Sequence, residues 1–132
     1  MEETILPVPS EEEIEAGKAM ALVSWISMFV GLPLWIIPMI QRDNAYALYH
    51  AKHSGMTFLV ATAFALAVVL LNFATCGFLF FLVPLMFVTW VPVIDGLIKA
   101  IQGRVEPPII VGGFTDQLFG SLTVDPDKRS FD

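Results

Sequence analysis

The stretch that decides the fold is SGMTFLVATAFALAVVLLNFATCGFLFFLVPLMFVTWVPVI, residues 54–94, which contains no Asp, Glu, Lys or Arg. A soluble protein needs polar residues to cover its surface, and this run leaves too few. Because a helix needs about 20 apolar residues to cross a bilayer core, the run fits two spans joined by a turn better than one buried core helix. Asn, Thr, Cys and Gly cluster at residues 72–77, and this cluster predicts the turn.

A second uncharged run covers residues 19–40. Its second half contains Gly31, Pro33 and Pro38, which remove backbone hydrogen bonds or loosen the helix, so we expect a kink or a locally unwound stretch. The region upstream is acidic where a signal peptide needs positive charge, so the run is interpreted as a retained first span. The alternative is a re-entrant segment that returns to the side from which it came.

The predicted fold is an all-α membrane protein with three transmembrane helices, a kinked first helix and an interfacial C-terminal segment. Residues 1–16 are predicted to form an acidic N-terminal tail, residues 17–104 the three-helix transmembrane domain, and residues 105–132 an interfacial or cytoplasmic C-terminal tail. Ser10 and Glu13 have the spacing of a capping box, which predicts that a helix begins at Ser10. The apolar residues between 114 and 124 predict one short amphipathic turn on the membrane surface.

Composition excludes several classes of function. The chain is 56% hydrophobic and 15% charged, and six of its thirteen acids lie in the first fifteen residues, so the remaining seven acids balance the seven bases. Without a basic stripe, the chain lacks the residues that neutralise nucleic-acid phosphates. No pairing of nucleophile and base and no Gly-rich phosphate loop is visible, and the loops are short, so we do not expect an enzyme.

Charge also predicts an orientation. Three spans would place the termini on opposite sides, with the first turn and the C-terminal segment on the same side. That side would hold six of the seven basic residues, which are Arg42, Lys52, Lys99, Arg104, Lys128 and Arg129. By the positive-inside rule this side is cytoplasmic, and we expect a multi-pass protein of the inner membrane with Cys76 outside. A re-entrant first segment would instead keep the N-terminus in the cytoplasm.

His50 and His53 are the candidate ligands of a cofactor. They are three residues apart on the predicted second helix, and paired imidazoles can bind a metal, a haem or a chlorophyll. A structural metal site needs about four ligands, and the sequence has no third His and no second Cys, so no metal site is predicted. The alternative interpretation makes both side chains polar anchors that hydrogen-bond lipid headgroups or a neighbouring helix.

Asp95 is an acid within an apolar stretch, which by default suggests proton or ion handling. Lys99 follows four residues later on the same helical face and can neutralise it, so we expect an interfacial ion pair. Thr57, Ala61 and Ala65 recur every four residues, and we call them the small-residue seam. Small residues let helix backbones approach closely, so the seam predicts a packing face, either to the chain's own helices or to another subunit.

Three segments together resemble a known pattern: GKAMALVSW at residues 17–25, LYHAKH at residues 48–53, and KAIQGR at residues 99–104. In these segments the chain resembles the Tic20-like family of small bacterial membrane proteins, which is related to the magnetosome membrane protein F. The resemblance implies three or four helices, a membrane location and no catalytic residues. The chain departs from the family pattern at His53, where a Gln is common, and in its two tails.

These observations predict a non-enzymatic accessory or scaffold subunit that packs against other membrane protein subunits and lipids. A transport component that uses Asp95 and His50 is the first alternative. A subunit that holds a pigment or haem through His50 is the second, and otherwise no cofactor is expected.

Overall fold

A computed structural model describes residues 9–110, 112–120, 122 and 124, and these residues form helices and loops without a strand. The elements in chain order are α1 (Glu11–Ile26), a 3₁₀ turn (Ser27–Val30), α2 (Ile36–Gln41), α3 (Ala45–Ala74), a long 3₁₀ helix (Phe80–Thr89), α4 (Trp90–Ile101) and α5 (Gly112–Phe119). The predictions for residues 1–8 and 125–132 of the two tails lie outside the described residues.

Local sequence determines where two of these helices begin. The Oγ of Ser10 accepts a hydrogen bond from the amide of Glu13 at 3.2 Å, and α1 begins there, as predicted. The side chain of Asn44 accepts a hydrogen bond from the amide of Ala47 at 2.9 Å and caps α3 in the same way. Both caps satisfy amides that have no partner within their own helix.

Among the described residues, two helices are long and apolar enough to cross a membrane. They are α3, whose most apolar 18-residue window has a mean hydropathy of 2.2, and the continuous segment Phe80–Ile101, whose corresponding window has a mean hydropathy of 2.0. In their most apolar windows only 11% and 17% of the residues are buried, whereas most of a core helix in a soluble protein would be covered. The prediction of an all-helical fold is confirmed for the described residues, and two of the three predicted spans correspond to helices that are long and apolar enough to cross a membrane.

The first apolar run does not form a third helix of that length. Helix α1 ends at Ile26 and passes into the 3₁₀ turn, and Gly31 then adopts a φ of +73°, which reverses the chain. A side chain at this φ would be strained, and Pro33 and Pro38 donate no amide hydrogen bonds, so a continuous helix is disfavoured here. The predicted interruption is confirmed, and it is a complete reversal instead of a kink.

The chain returns from this reversal to the level at which α1 began. The carbonyl of Glu13 accepts a hydrogen bond from Nδ2 of Asn44 at 2.9 Å, and the carbonyl of Ser24 accepts one from Oγ of Ser54 at 2.7 Å, so α1 runs parallel to α3. Residues 11–43 therefore form a hairpin that starts and ends at the level where α3 begins. This is the path that the re-entrant alternative requires, and we call it the re-entrant hairpin.

This path changes the expected arrangement of the termini. The start of α1, the start of α3 and the end of α4 lie together, and the side chain of Ile14 lies against Gly103. We call this the proximal end, and we call the turn after Ala74 the distal end. The described residues nearest to the termini lie at the proximal end, since α1 begins there after Ser10 and Val124 packs against Ala45 and Leu48. This differs from the expected arrangement, which required the first apolar run to cross as one full span.

Candidate functional site

The buried polar and charged side chains of the described residues lie in the proximal half, where the first turns of α3 pack against α1, α4 and α5. We call this group the proximal polar cluster; its members are Glu13, Ser24, Ser27, Asn44, His50, Lys52, His53, Ser54, Thr57, Lys99 and Thr115. The apolar core of Ala21, Trp25, Met28, Tyr46, Val93 and Ala100 lies in the same region. Buried polar groups cost free energy unless they are hydrogen-bonded, so their partners show what the cluster does.

His50 lies at the centre of the cluster and is 1% exposed. Its Nδ1 accepts a hydrogen bond from the indole Nε1 of Trp25 at 3.1 Å, and its Nε2 lies 3.0 Å from the carbonyl oxygen of Arg104. Because Nδ1 accepts, the proton of the neutral ring is on Nε2, which donates to that carbonyl. Neither nitrogen therefore offers a lone pair to a metal, haem or pigment.

His53 has different partners from His50. Its Nδ1 lies 2.7 Å from Oγ1 of Thr115 on α5, and the neighbouring Lys52 donates from Nζ to the carbonyl of Leu122 at 2.7 Å. His50 binds α1 and the segment that directly follows α4, whereas His53 and Lys52 hold the C-terminal segment. In the part of the chain that the structure describes, no three His, Cys, Asp or Glu side chains are placed to hold a metal ion.

Two further hydroxyl groups of α3 bind the backbone of neighbouring helices. The hydroxyl of Tyr46 donates to the carbonyl of Ala100 at 2.7 Å, and Oγ of Ser54 donates to the carbonyl of Ser24. Tyr46, His50, Ser54 and Thr57 form a ladder at helical spacing, and this ladder continues into the small-residue seam. The sequence analysis identified only the distal part of this face, which is the small-residue seam. Extending the same four-residue spacing towards the start of α3 would have found the rest.

Three glycines provide room for the side chains that hold the hairpin, and the sequence analysis missed their role. A Cβ on Gly96 of α4 would overlap the indole ring of Trp25, and a Cβ on Gly55 of α3 would overlap the ring of Trp35. A Cβ on Gly17 of α1 would overlap the side chain of Asn44. The two residues of each pair are far apart in the chain, so no local sequence pattern predicts their contact.

Asp95 and Lys99 are in contact, with Nζ of Lys99 at 2.6 Å from Oδ2 of Asp95. Lys99 also donates to the carbonyl of Pro107 at 2.7 Å, and the amide of Ile109 donates to Asp95 at 3.0 Å. The two side chains therefore hold the segment after α4 back against that helix. This arrangement uses the carboxylate for structure, and both side chains already have partners.

The small-residue seam faces the chain's own third apolar segment. Thr57 and Ala61 line a cleft of about 190 Å³ together with Leu85, Val88 and Pro92, and Ala61 and Ala65 line one of about 230 Å³ with Met86, Trp90 and Val93. The hydroxyl of Thr57 is not free to line a polar path, because it donates to the carbonyl of His53 at 2.8 Å. The clefts thus lie between the seam and the chain's own third apolar segment.

No family model, curated protein or solved structure matches this chain. The resemblance to the Tic20-like family therefore stays a prediction.

Proposed function

We propose that this chain is a multi-pass inner-membrane protein that acts as a non-enzymatic accessory or scaffold subunit of a larger membrane complex. The observation that carries the proposal is that the candidate reactive side chains bind the chain's own backbone and side chains. His50 bridges Trp25 and Arg104, and Asp95 is bonded to Lys99 and Ile109. A catalyst or proton carrier needs such groups to face a substrate or a pathway, whereas a scaffold needs them to fix a shape.

In the proposed arrangement α3 and the segment Phe80–Ile101 cross the bilayer, and the re-entrant hairpin dips into it from the proximal side. Helix α3 has 30 residues, or about 45 Å at 1.5 Å per residue, which is longer than the bilayer core of about 30 Å. Its first turns therefore stand at headgroup level. The described basic residues Lys18, Arg42, Lys52, Lys99 and Arg104 belong to the proximal side, which the positive-inside rule makes cytoplasmic.

The distal half supports a role in assembly. It is a two-helix hairpin with large aromatic side chains on its surface, namely Phe73, Phe78, Phe80, Phe81 and Phe87, which are 65% to 82% exposed. In lipid these rings are free to pack against the helices of another subunit, because van der Waals packing is the main attraction between membrane helices.

The proposal is tested by purifying the full chain in a mild detergent with a photo-crosslinking amino acid at Phe81. Larger proteins are expected to co-purify and to crosslink at this position. Leu48 is 0% exposed, so the same crosslinker there serves as the matched control and should capture only the chain itself. A clean monomer without crosslinked partners would contradict the proposal.

The transport alternative has less support. The two clefts beside the seam have mainly apolar walls, and a pathway for ions or polar solutes needs hydrogen-bonding or charged groups along its length. The pigment alternative also has less support, because both ring nitrogens of His50 already have hydrogen-bond partners within the chain.

A further inference from the structure

The two halves of the molecule differ in width. The proximal half contains the re-entrant hairpin, the first turns of α3, α4 and α5, whereas the distal half contains the rest of α3 and the long 3₁₀ helix. Burial follows this division. Between Ala45 and Gly55 every residue of α3 except Tyr49 is buried, between Phe58 and Ala74 only Val68 is, and the 3₁₀ helix has no buried residue.

The outer surface of the re-entrant hairpin is apolar. Its large exposed side chains are Ile26, Phe29, Val30, Leu32, Ile36, Ile37 and Ile40, with exposed fractions of 39% to 69%. Residues 19–40 contain no charged side chain that would hold this surface in water. The hairpin therefore displaces lipid chains, as a shallowly inserted amphipathic helix does.

The hairpin reaches only to about the middle of α3. Met28, close to its tip, receives a weak hydrogen bond from Oγ of Ser54 at 3.5 Å and borders the same cleft as Ala61. Helix α3 continues to Ala74, roughly 20 Å beyond Ala61 at 1.5 Å per residue. The added width thus belongs to one leaflet.

Buried hydrogen bonds and close packing hold the hairpin against the rest of the molecule, so that it can resist the lateral pressure of the surrounding lipids. The indole of Trp25 is 0% exposed and is bonded to His50, and Asn44 holds the carbonyl of Glu13. Trp25 and Asn44 lie so close to Gly96 and Gly17 that a Cβ at either glycine would overlap them, so both contacts are closely packed. Two extra helices about 10 Å wide add roughly 160 Å² of cross-section to that leaflet.

We infer that the protein is a wedge that binds preferentially to curved bilayers, with its proximal side on the convex face. The partner of the exposed hairpin is therefore the lipid of an expanded leaflet. This inference rests on the membrane insertion within the proposed function, but it does not depend on the partner complex.

The test uses the full chain, labelled with a fluorophore at Cys76, which is exposed at the distal end. The protein is reconstituted into giant vesicles of phosphatidylcholine and phosphatidylglycerol, and narrow tubes are pulled from them. For molecules with the proximal side outward, we expect a tube-to-vesicle density ratio of about two or more, because shallow insertion is curvature-sensitive. Molecules of the opposite orientation, selected by protease protection of the proximal segments, should be depleted from the tubes.

A pair of variants separates the hairpin from the rest of the molecule. Replacing Val30 and Leu32 at the hairpin tip by Asn should lift the tip towards water and lower the ratio towards one. Replacing Leu70, which is 66% exposed on distal α3, by Asn should leave the ratio unchanged. A ratio of one for the unmodified protein in both orientations would overturn the wedge, and flotation of the same sample with its vesicles would show that insertion itself had not failed. Loss of flotation would overturn both ideas, whereas a failed pull-down would affect only the scaffold role.

Discussion

The substitution Gly96→Ala tests the contact that fastens the re-entrant hairpin to the rest of the molecule. A Cβ at this position would overlap the ring of Trp25, which is 0% exposed and cannot move outward without leaving its hydrogen bond to His50. The substitution adds one methyl group to the interface between α1 and α4. Its effect is therefore a direct measure of how closely these helices are packed.

The magnitude follows from two costs and one gain. Forcing a methyl group into a packed interface costs about 1–3 kcal/mol, and leaving Nδ1 of His50 without its donor costs about 1–3 kcal/mol. Replacing Gly by Ala within a helix returns about 1 kcal/mol. We expect Gly96→Ala to lower the free energy of unfolding by about 1–5 kcal/mol.

The measurement is unfolding by sodium dodecyl sulfate in mixed micelles, followed by circular dichroism and tryptophan fluorescence. The control is Ala63→Val, since Ala63 is exposed on α3 and the change should stay within about 0.5 kcal/mol. The double variant Gly96→Ala with Trp25→Leu should lose less than the sum of the single changes, because the smaller side chain makes room for the methyl group. If Gly96→Ala unfolds at the same detergent fraction as Ala63→Val, the packing argument is refuted.

Three further predictions concern topology, His50 and Asp95. An impermeant thiol reagent should label Cys76 from outside intact cells, whereas Ala16→Cys in a Cys76→Ser background should react only after permeabilisation; outside labelling of both would mean that the first segment spans. His50→Leu should lower the free energy of unfolding by about 2–4 kcal/mol, because Trp25 and Arg104 lose their partners, without changing the visible absorbance; a band lost in the variant would reveal a bound pigment. Asp95→Asn should speed proteolysis after Arg104, because the bonds of Asp95 to Lys99 and Ile109 hold that segment in place. The same change should leave ion flux in liposomes unchanged. Loss of flux with intact assembly would favour the transport alternative.

Local signals predicted the helical elements well. The cap at Ser10 and the break predicted at residues 72–77 each follow from side chains that act on their own neighbourhood. The second span expected in the run 54–94 corresponds to the observed segment Phe80–Ile101, in which Pro84 lies where the helix is 3₁₀ and Pro92 where it is α. Proline removes amides from the ladder, and the sequence shows where it does so but not which helix type results.

The path of the first apolar run could not be derived in the same way. An uncharged run at residues 19–40 is long enough for one span or for a hairpin, and hydropathy is the same for both. The choice depends on Trp25 meeting His50 and Gly96, and on Asn44 meeting Glu13. These contacts join residues far apart in sequence, so neither spacing nor composition reveals them.

The same long-range view explains why the cluster looked like a ligand site in the sequence. The last turn of a helix leaves carbonyl groups that lipid cannot satisfy, so the ends of α1 and α4 are stable in a membrane only where protein side chains donate to them. The ladder on α3 provides these donors: Tyr46 binds the carbonyl of Ala100, His50 that of Arg104, and Ser54 that of Ser24. A histidine among tyrosine and serine on an apolar helix is thus accounted for by backbone groups at helix ends. If the hairpin were removed, Ser54 and the acceptor nitrogen of His50 would lose their hydrogen-bond partners. We therefore expect that the hairpin cannot be deleted without also destabilising the polar side chains of α3.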